Sequence, residues 1–141
     1  MRALSVHQPY ADMFFDDRDQ KRVENRGWAT NFRGPLAIHA SKSKMRFKET
    51  RSPVPQCMAF GAIVGVVHMI DCVFLDLEQV RHKYPWMVTH THSFGPYCFV
   101  FENPVRLPNP IPWRGHQSFF FVPDHVFPNL VFNETQNGKL G

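Results

Sequence analysis

The stretch from Lys21 to Lys42, KRVENRGWATNFRGPLAIHASK, concentrates the side chains of this 141-residue chain that could do chemistry. If Arg22 to Trp28 is extended, strand alternation places Arg22, Glu24, Arg26 and Trp28 on one face. Two readings of that face are open. It is either a solvated strand with cross-strand ion pairs of little energetic weight, or the floor of a polar cleft. In the cleft reading the arginines take phosphate or a base edge, Glu24 accepts a donor, and Trp28 stacks on a ring. Lys21 has the opposite parity, and reaches the same face only if it precedes the strand and points in from a turn.

A second alternation follows in Leu36–Ser41, with Leu36, Ile38 and Ala40 on one side and Ala37, His39 and Ser41 on the other. His39 is a candidate proton-transfer group near neutral pH, or else a hydrogen-bonded histidine at a sheet margin. Arg33, Lys42, Lys44, Arg46 and Lys48 form a basic rim around Phe47. Bases interleaved with an aromatic suit a nucleic-acid backbone with one stacking platform, and equally a solvated loop anchored by a phenylalanine. Farther on, Arg114-Gly115-His116-Gln117-Ser118 is a polar turn carrying one more base. His90-Thr91-His92 sets two imidazoles on one strand face, a pair that zinc or copper could use. No cysteine or carboxylate pair stands near it in sequence to complete a site. Phosphate-binding loops, dinucleotide fingerprints, nucleophile elbows and zinc-protease motifs do not occur. Neither a metal nor an organic cofactor is expected.

The charge pattern singles out the same region. Residues 1–51 hold eleven Lys/Arg against six Asp/Glu, net +5, whereas residues 52–141 hold five against six, net −1. Between Gln20 and Lys48 eight bases face one acid, Glu24, so the excess has a definite place along the chain. An overall charge of +4 tolerates an acidic partner without specifying one.

The elements that must carry these groups are short. Twelve prolines and eight glycines against 14% aromatics disfavour a helical bundle, and 43% hydrophobic residues exclude wholesale disorder. Ala3–Val6 suits an opening strand, and Pro9 a first helical turn before Tyr10, Met13 and Phe14. Lys21–Trp28 and Leu36–Ser41 read as strands. Lys42–Arg51 lacks a strong period, and Ser52–Pro55 closes it as a loop. Gly61–Phe74 is expected to be the central strand, apolar on both faces as in a doubly covered sheet. Asp76–Lys83 has helical spacing and Pro85 stops it. Tyr97–Glu102 is a strand, whereas the four prolines of Asn103–Pro112 should keep that stretch extended and outside the sheet. Phe119–Val122 is a last apolar strand. The most apolar window, Met58 to Leu75, is broken by His68, Asp71, Gly61 and Gly65, so a strand is preferred there to a membrane helix. Cys57, Cys72 and Cys98 are widely spaced and odd in number, which points to reduced thiols and an intracellular, cytoplasmic setting.

LSVHQPYADM, KRVENRGW followed by RGPLAIHASK, FGAIVGVVHMIDCV and GPYCFVFENP occur in that order. Together they resemble the ASCH domain, named for activating signal cointegrator homology. The resemblance runs from about Ala3 to Val122. It implies an α+β fold: a small PUA-like mixed β-barrel of five to six strands with two or more peripheral helices. A single domain over 1–132 and a flexible tail over 133–141 are expected. The family pattern Gly-x-Lys-x-x-Glu-x-Arg is matched by Lys21, Glu24 and Arg26, while Asp19 stands at the glycine position.

The resemblance further implies a nucleic-acid role, with RNA favoured over DNA as partner and no membrane. Expected nucleic-acid contacts are Lys21, Arg26, Trp28, Arg33, Ser41, Lys42, Lys44, Arg46, Lys48 and Arg114. The alternative is a metal-independent hydrolase, either a ribonuclease or an amidohydrolase of acetylated cytidine, with Lys21, Glu24 and His39 as catalytic candidates. Family members that hydrolyse acetylated cytidine use a lysine, a threonine and a glutamate. Here Lys21 is present, Glu24 takes the threonine position, and Glu78 is a loose counterpart of the glutamate.

Overall fold

The computed structural model describes residues 1–90 and 92–129. Six strands form one mixed sheet: β1 (Arg2–Val6), β2 (Val23–Arg26), β3 (Gly34–Ala40), β4 (Ala62–Phe74), β5 (Tyr97–Pro112) and β6 (Phe120–Phe121), in the spatial order β2-β5-β4-β3-β1-β6. Three helices accompany it: α1 (Tyr10–Met13), α2 (Met45–Thr50) and α3 (Leu77–Lys83). The expected α+β class, strand number and peripheral helices are all present. β1 pairs parallel to β3, with Leu4 opposite Ile38, and the other pairings are antiparallel.

The alternation read from Leu36–Ser41 is realised on β3. Leu36, Ile38 and Ala40 join Leu4, Val6, Phe14, Val64 and Phe99 in one core, while Ala37 joins Ala3, Ile63 and Val66 in a second on the opposite face. Apolar residues therefore occupy both faces of the central strands, as a sheet covered on both sides requires. Register shifts recur along β4 and β5, between Ile63 and Gly65, Val66 and His68, and Met69 and Asp71. Such bulges bend and twist long strands, so a sheet of this length curls. Gly65 makes room for a ring on that strand: a Cβ there would overlap the Phe15 ring, which packs directly on the backbone.

The curled sheet is not closed by a ladder, because its edges β2 and β6 are not neighbours in the strand order. Aromatic rings bridge the gap instead. Trp28, just past β2, packs edge-on against Phe119 (5.2 Å) and Phe99 (5.1 Å), and the Arg2 guanidinium covers Phe32 at 4.9 Å.

Two expectations about elements are corrected. Pro104, Pro108, Pro110 and Pro112 lie within β5 rather than outside the sheet. β2 pairs only with residues 97–100, so beyond them β5 is an edge strand with one side free, where proline is tolerated. Six residues of the basic stretch, Met45–Thr50, form α2. Tertiary packing supplies what periodicity did not show, since Phe47 is buried against Phe60. α3 begins as expected, with the Asp76 carboxylate accepting from the Glu78 N–H and Arg81, His82 and Lys83 in its last turn, where cations complement the helix dipole. The expected domain end at 132 and the tail over 133–141 lie outside the described residues. No described helix is long and apolar enough to cross a membrane.

Candidate nucleic-acid interface

β1 and β3 run parallel and end side by side, the Ser41 N–H donating to the Val6 carbonyl. The chain leaves β1 through His7 and turns into α1. Gln8 fixes that turn: its amide donates to the Asp12 carboxylate and the Ala59 carbonyl and accepts from the Asp12 N–H. The fully buried Gln8 thereby sets Tyr10 beside the strand ends. Residues 14–20 then lead back, and the Lys21 N–H bonds the Met13 carbonyl at 2.8 Å. Lys21 thus enters from a turn ahead of β2, the condition under which it shares the face of Glu24.

Between these elements lies a cavity of about 510 Å³, whose polar lining includes Lys21, Glu24, Arg26, Ser5, Ser41, Arg46, His92, His116 and Gln117. Tyr10 and Phe94 supply its aromatic wall. Glu24 holds two cations at once, Lys21 Nζ 3.3 Å from Oε1 and Arg26 Nη2 2.9 Å from Oε2. The same guanidinium donates to the Ser5 carbonyl at 2.6 Å. Lys21 is only 3% exposed and lies between the Phe14 and Tyr10 rings, at 5.3 and 5.9 Å. Burial pulls its ammonium below the ordinary lysine value; Glu24 opposes the fall and Arg26 adds to it. Arg26 Nε and His92 Nε2 are buried without a partner, which leaves polar atoms unmatched beside the cavity.

Several placements differ from the sequence reading. Trp28 is not on the cavity wall; it packs in the aromatic seam that bridges the sheet edges. Arg22 also leaves the face, its guanidinium stacking on Trp86 at 3.9 Å. Arg33 bonds Asp71 at 3.2 Å, in a cluster with Lys83 and Tyr84. Desolvation and Asp71 together push the Tyr84 hydroxyl up to about 12, while hydrogen bonds from Lys83 and Tyr84 outweigh burial and hold Asp71 below its ordinary value. Lys44 lies over the Phe60 ring and Lys48 projects from the last turn of α2. Arg46 does line the cavity, with Glu49 at 3.3 Å.

His39 is 1% exposed with both ring nitrogens engaged. Nε2 is 2.7 Å from the Trp113 carbonyl, which only accepts, so Nε2 carries the proton. Nδ1 then accepts from the Ser5 hydroxyl at 2.9 Å. Burial lowers this ring's basicity, and it does not line the large cavity. It instead backs a smaller adjoining cavity that holds Lys42 and Arg114.

Sequence reasoning passed over Ser5, Tyr10, Asn25 and Phe94, all of which line the cavity. Asn25 is the clamp: its Oδ1 accepts from the N–H groups of Phe94 and Gly95, and its Nδ2 donates to the His92 carbonyl. That clamp brings His92 and Phe94 to the cavity, and the only sequence signal was a lone asparagine inside a polar strand. His90 and His92 stand together, rings 5.3 Å apart, with His90 Nε2 accepting the Arg22 N–H. Desolvation, then the charges of His92 and Lys21, hold His90 down at about 4. Among the described residues no group of three His, Cys, Asp or Glu side chains is arranged to hold a metal ion.

A family model described as the ASCH domain matches residues 4–106. Activating signal cointegrator 1 of Homo sapiens is 31% identical over 130 residues, covering 83% of this chain, and its Mus musculus counterpart is 29% identical over the same length. The chain spans only 21% of the length of each. Crystal structures of ASCH from Zymomonas mobilis share the fold. One gives a TM-score of 0.53 at 14% identity over 93% of both chains. A tyrosine-to-phenylalanine variant of that protein gives 0.55 at 14% identity, over 93% of this chain and 96% of its own.

Proposed function

This chain belongs to the ASCH domain family, and we propose that it is a nucleic-acid-binding domain that holds single-stranded RNA in the Lys21–Glu24–Arg26 cavity. The observation that carries this reading is the cavity itself. Its volume, about 510 Å³, is that of a small-ligand site, and its cations converge on one face with an aromatic wall. Phe94, 71% exposed, offers the stacking platform in place of Trp28. Arg46, Lys42 and Arg114 supply positive charge along the approach. An intracellular site of action belongs to the same proposal, in keeping with three free thiols at Cys57, Cys72 and Cys98.

The test is titration of a labelled single-stranded RNA, and of DNA of the same sequence, at several salt concentrations. Neutralising three or four phosphates gives a slope of log K against log salt of roughly −2 to −3.5. RNA is expected to bind more tightly than DNA. A salt-insensitive interaction, or none near physiological salt, refutes the reading.

One observation favours a second reading, a metal-independent hydrolase: Lys21 is buried, its ammonium lowered, with a carboxylate at 3.3 Å. Such a lysine can lose its proton and activate a nucleophile at an acyl group, or stabilise charge developing on a phosphate while still protonated. His39 fits this chemistry less well because both of its ring nitrogens are occupied. Incubating RNA and acetylated cytidine separately, with chelator, decides it. Product formed by the wild type and abolished in Lys21→Ala supports the hydrolase, and no product in either supports binding alone.

A further inference from the structure

We infer that the smaller cavity next to the Lys21 pocket is a phosphate subsite, so that the unit gripped by this domain is a nucleotide rather than a free nucleoside. The inference rests on the nucleic-acid reading above and specifies its ligand.

The smaller cavity, of about 380 Å³, shares Ser5, Ser41, His116 and Gln117 with the larger one. A group seated in one is therefore within a covalent linkage of a group seated in the other. Their charges differ in kind. In the larger cavity each cation touches a carboxylate: Lys21 and Arg26 share Glu24, and Arg46 has Glu49. The smaller cavity has no carboxylate in its lining. Among the described residues, no carboxylate lies within 4.0 Å of Lys42 or Arg114. Two unmatched cations facing one acid-free hollow attract an anion, whereas the larger cavity, with a carboxylate among its cations, suits a ring that both donates and accepts.

The subsite is also braced. His39, with Nε2–H on the Trp113 carbonyl and Nδ1 on the Ser5 hydroxyl, ties the start of the 113–117 turn to β1 and β3. The His116 N–H closes the turn onto Ser5 Oγ at 3.3 Å. Arg114 lies between these two anchor points. Gly115 makes this seating possible, because a Cβ there would come within 2.5 Å of Ser5 Oγ and 2.6 Å of the His39 ring. On the other side, the Lys42 stem lies against Gly61, where a Cβ would be 2.9 Å from Lys42 Cγ. The histidine read from sequence as a catalytic candidate is thus a positioning residue for Arg114.

Calorimetric titration of the full chain tests this with five probes: cytidine, its 5′-monophosphate, its 3′-monophosphate, a dinucleoside monophosphate and inorganic phosphate. At least one phosphorylated probe is expected to bind about tenfold or more tightly than cytidine, the gain one charge-assisted contact supplies. Which one identifies a terminal phosphate or an internal diester. The double variant Lys42→Gln/Arg114→Gln should lose that gain and keep cytidine binding. Arg81→Gln, an exposed charge on α3, should keep both. Equal binding of cytidine and every phosphorylated probe, or a gain that survives in the double variant, overturns the subsite while leaving the larger cavity's role intact. Failure of all five probes and of RNA overturns the nucleic-acid reading itself.

Discussion

Glu24 is the keystone of the cavity, and its replacement tests the geometry quantitatively. At an effective dielectric of about 20, unit charges 3.3 and 2.9 Å apart attract by about 5 and 6 kcal/mol respectively. Desolvation of three charged groups offsets most of that attraction, so the intact cluster contributes little net stability. Breaking it is asymmetric. Lys21→Met leaves Glu24 bonded to Arg26 and removes a desolvated ammonium, so its cost should stay near about 1 kcal/mol. Glu24→Gln leaves two cations facing each other in a buried site and should cost about 3 kcal/mol or more. For a chain of this length that is roughly 10 °C in Tm. The double variant should cost about 2 kcal/mol less than the sum of the singles. Urea unfolding followed by circular dichroism measures all three. The pH dependence adds an internal check. Lys21 is depressed when folded, so the stability it withholds at neutral pH returns as pH rises toward its unfolded value of 10.5. Without Glu24 the depression deepens, and the stability of Glu24→Gln should rise more steeply over that range than the wild type. Equal costs for the two single variants, or additivity within about 0.5 kcal/mol, would refute the shared-carboxylate argument.

Phe94→Ala should weaken single-stranded RNA binding by about 1–3 kcal/mol with little change in Tm, measured by fluorescence anisotropy and thermal unfolding. Trp28→Ala should do the reverse, costing about 3–5 kcal/mol of stability through the aromatic seam. Asn25→Ala frees the 92–95 loop and should cost about 2 kcal/mol while raising hydrogen exchange at Phe94 and Gly95; unchanged exchange would count against the clamp. His90, held down at about 4 when folded, contributes stability that is full above its unfolded value near 6.5 and is lost as pH falls toward 4. His90→Gln should flatten that part of the acid limb, since it removes the ring whose protonation would eject the Arg22 N–H.

Much of the fold was legible because strand alternation and strong breakers are local. Ile38 and Ala37 point to opposite cores for the same reason that neighbours on any strand do. Asp76 and Pro85 mark the ends of α3 by side-chain and ring chemistry that needs no partner. The reading failed where a neighbour decided. The prolines of β5 are admitted because its pairing with β2 stops at Val100, and α2 forms because Phe60 receives Phe47. Neither fact is present in the segment it governs.

For the site, the sequence by itself placed the basic excess in one stretch and put Glu24 at its centre, since charge and spacing are properties of the chain. Only the tertiary structure decided which cations are matched and which are not. Trp28 and Arg33 were equal to Lys42 and Arg114 as candidates until the aromatic seam took Trp28 and Asp71 took Arg33. It also joined Phe94 and His92 to Lys21 through Asn25, and drew the Arg114 turn to β1 through His39. A side chain's chemistry is set by its type, but its availability depends on partners brought from distant positions, and sequence spacing carries no record of them.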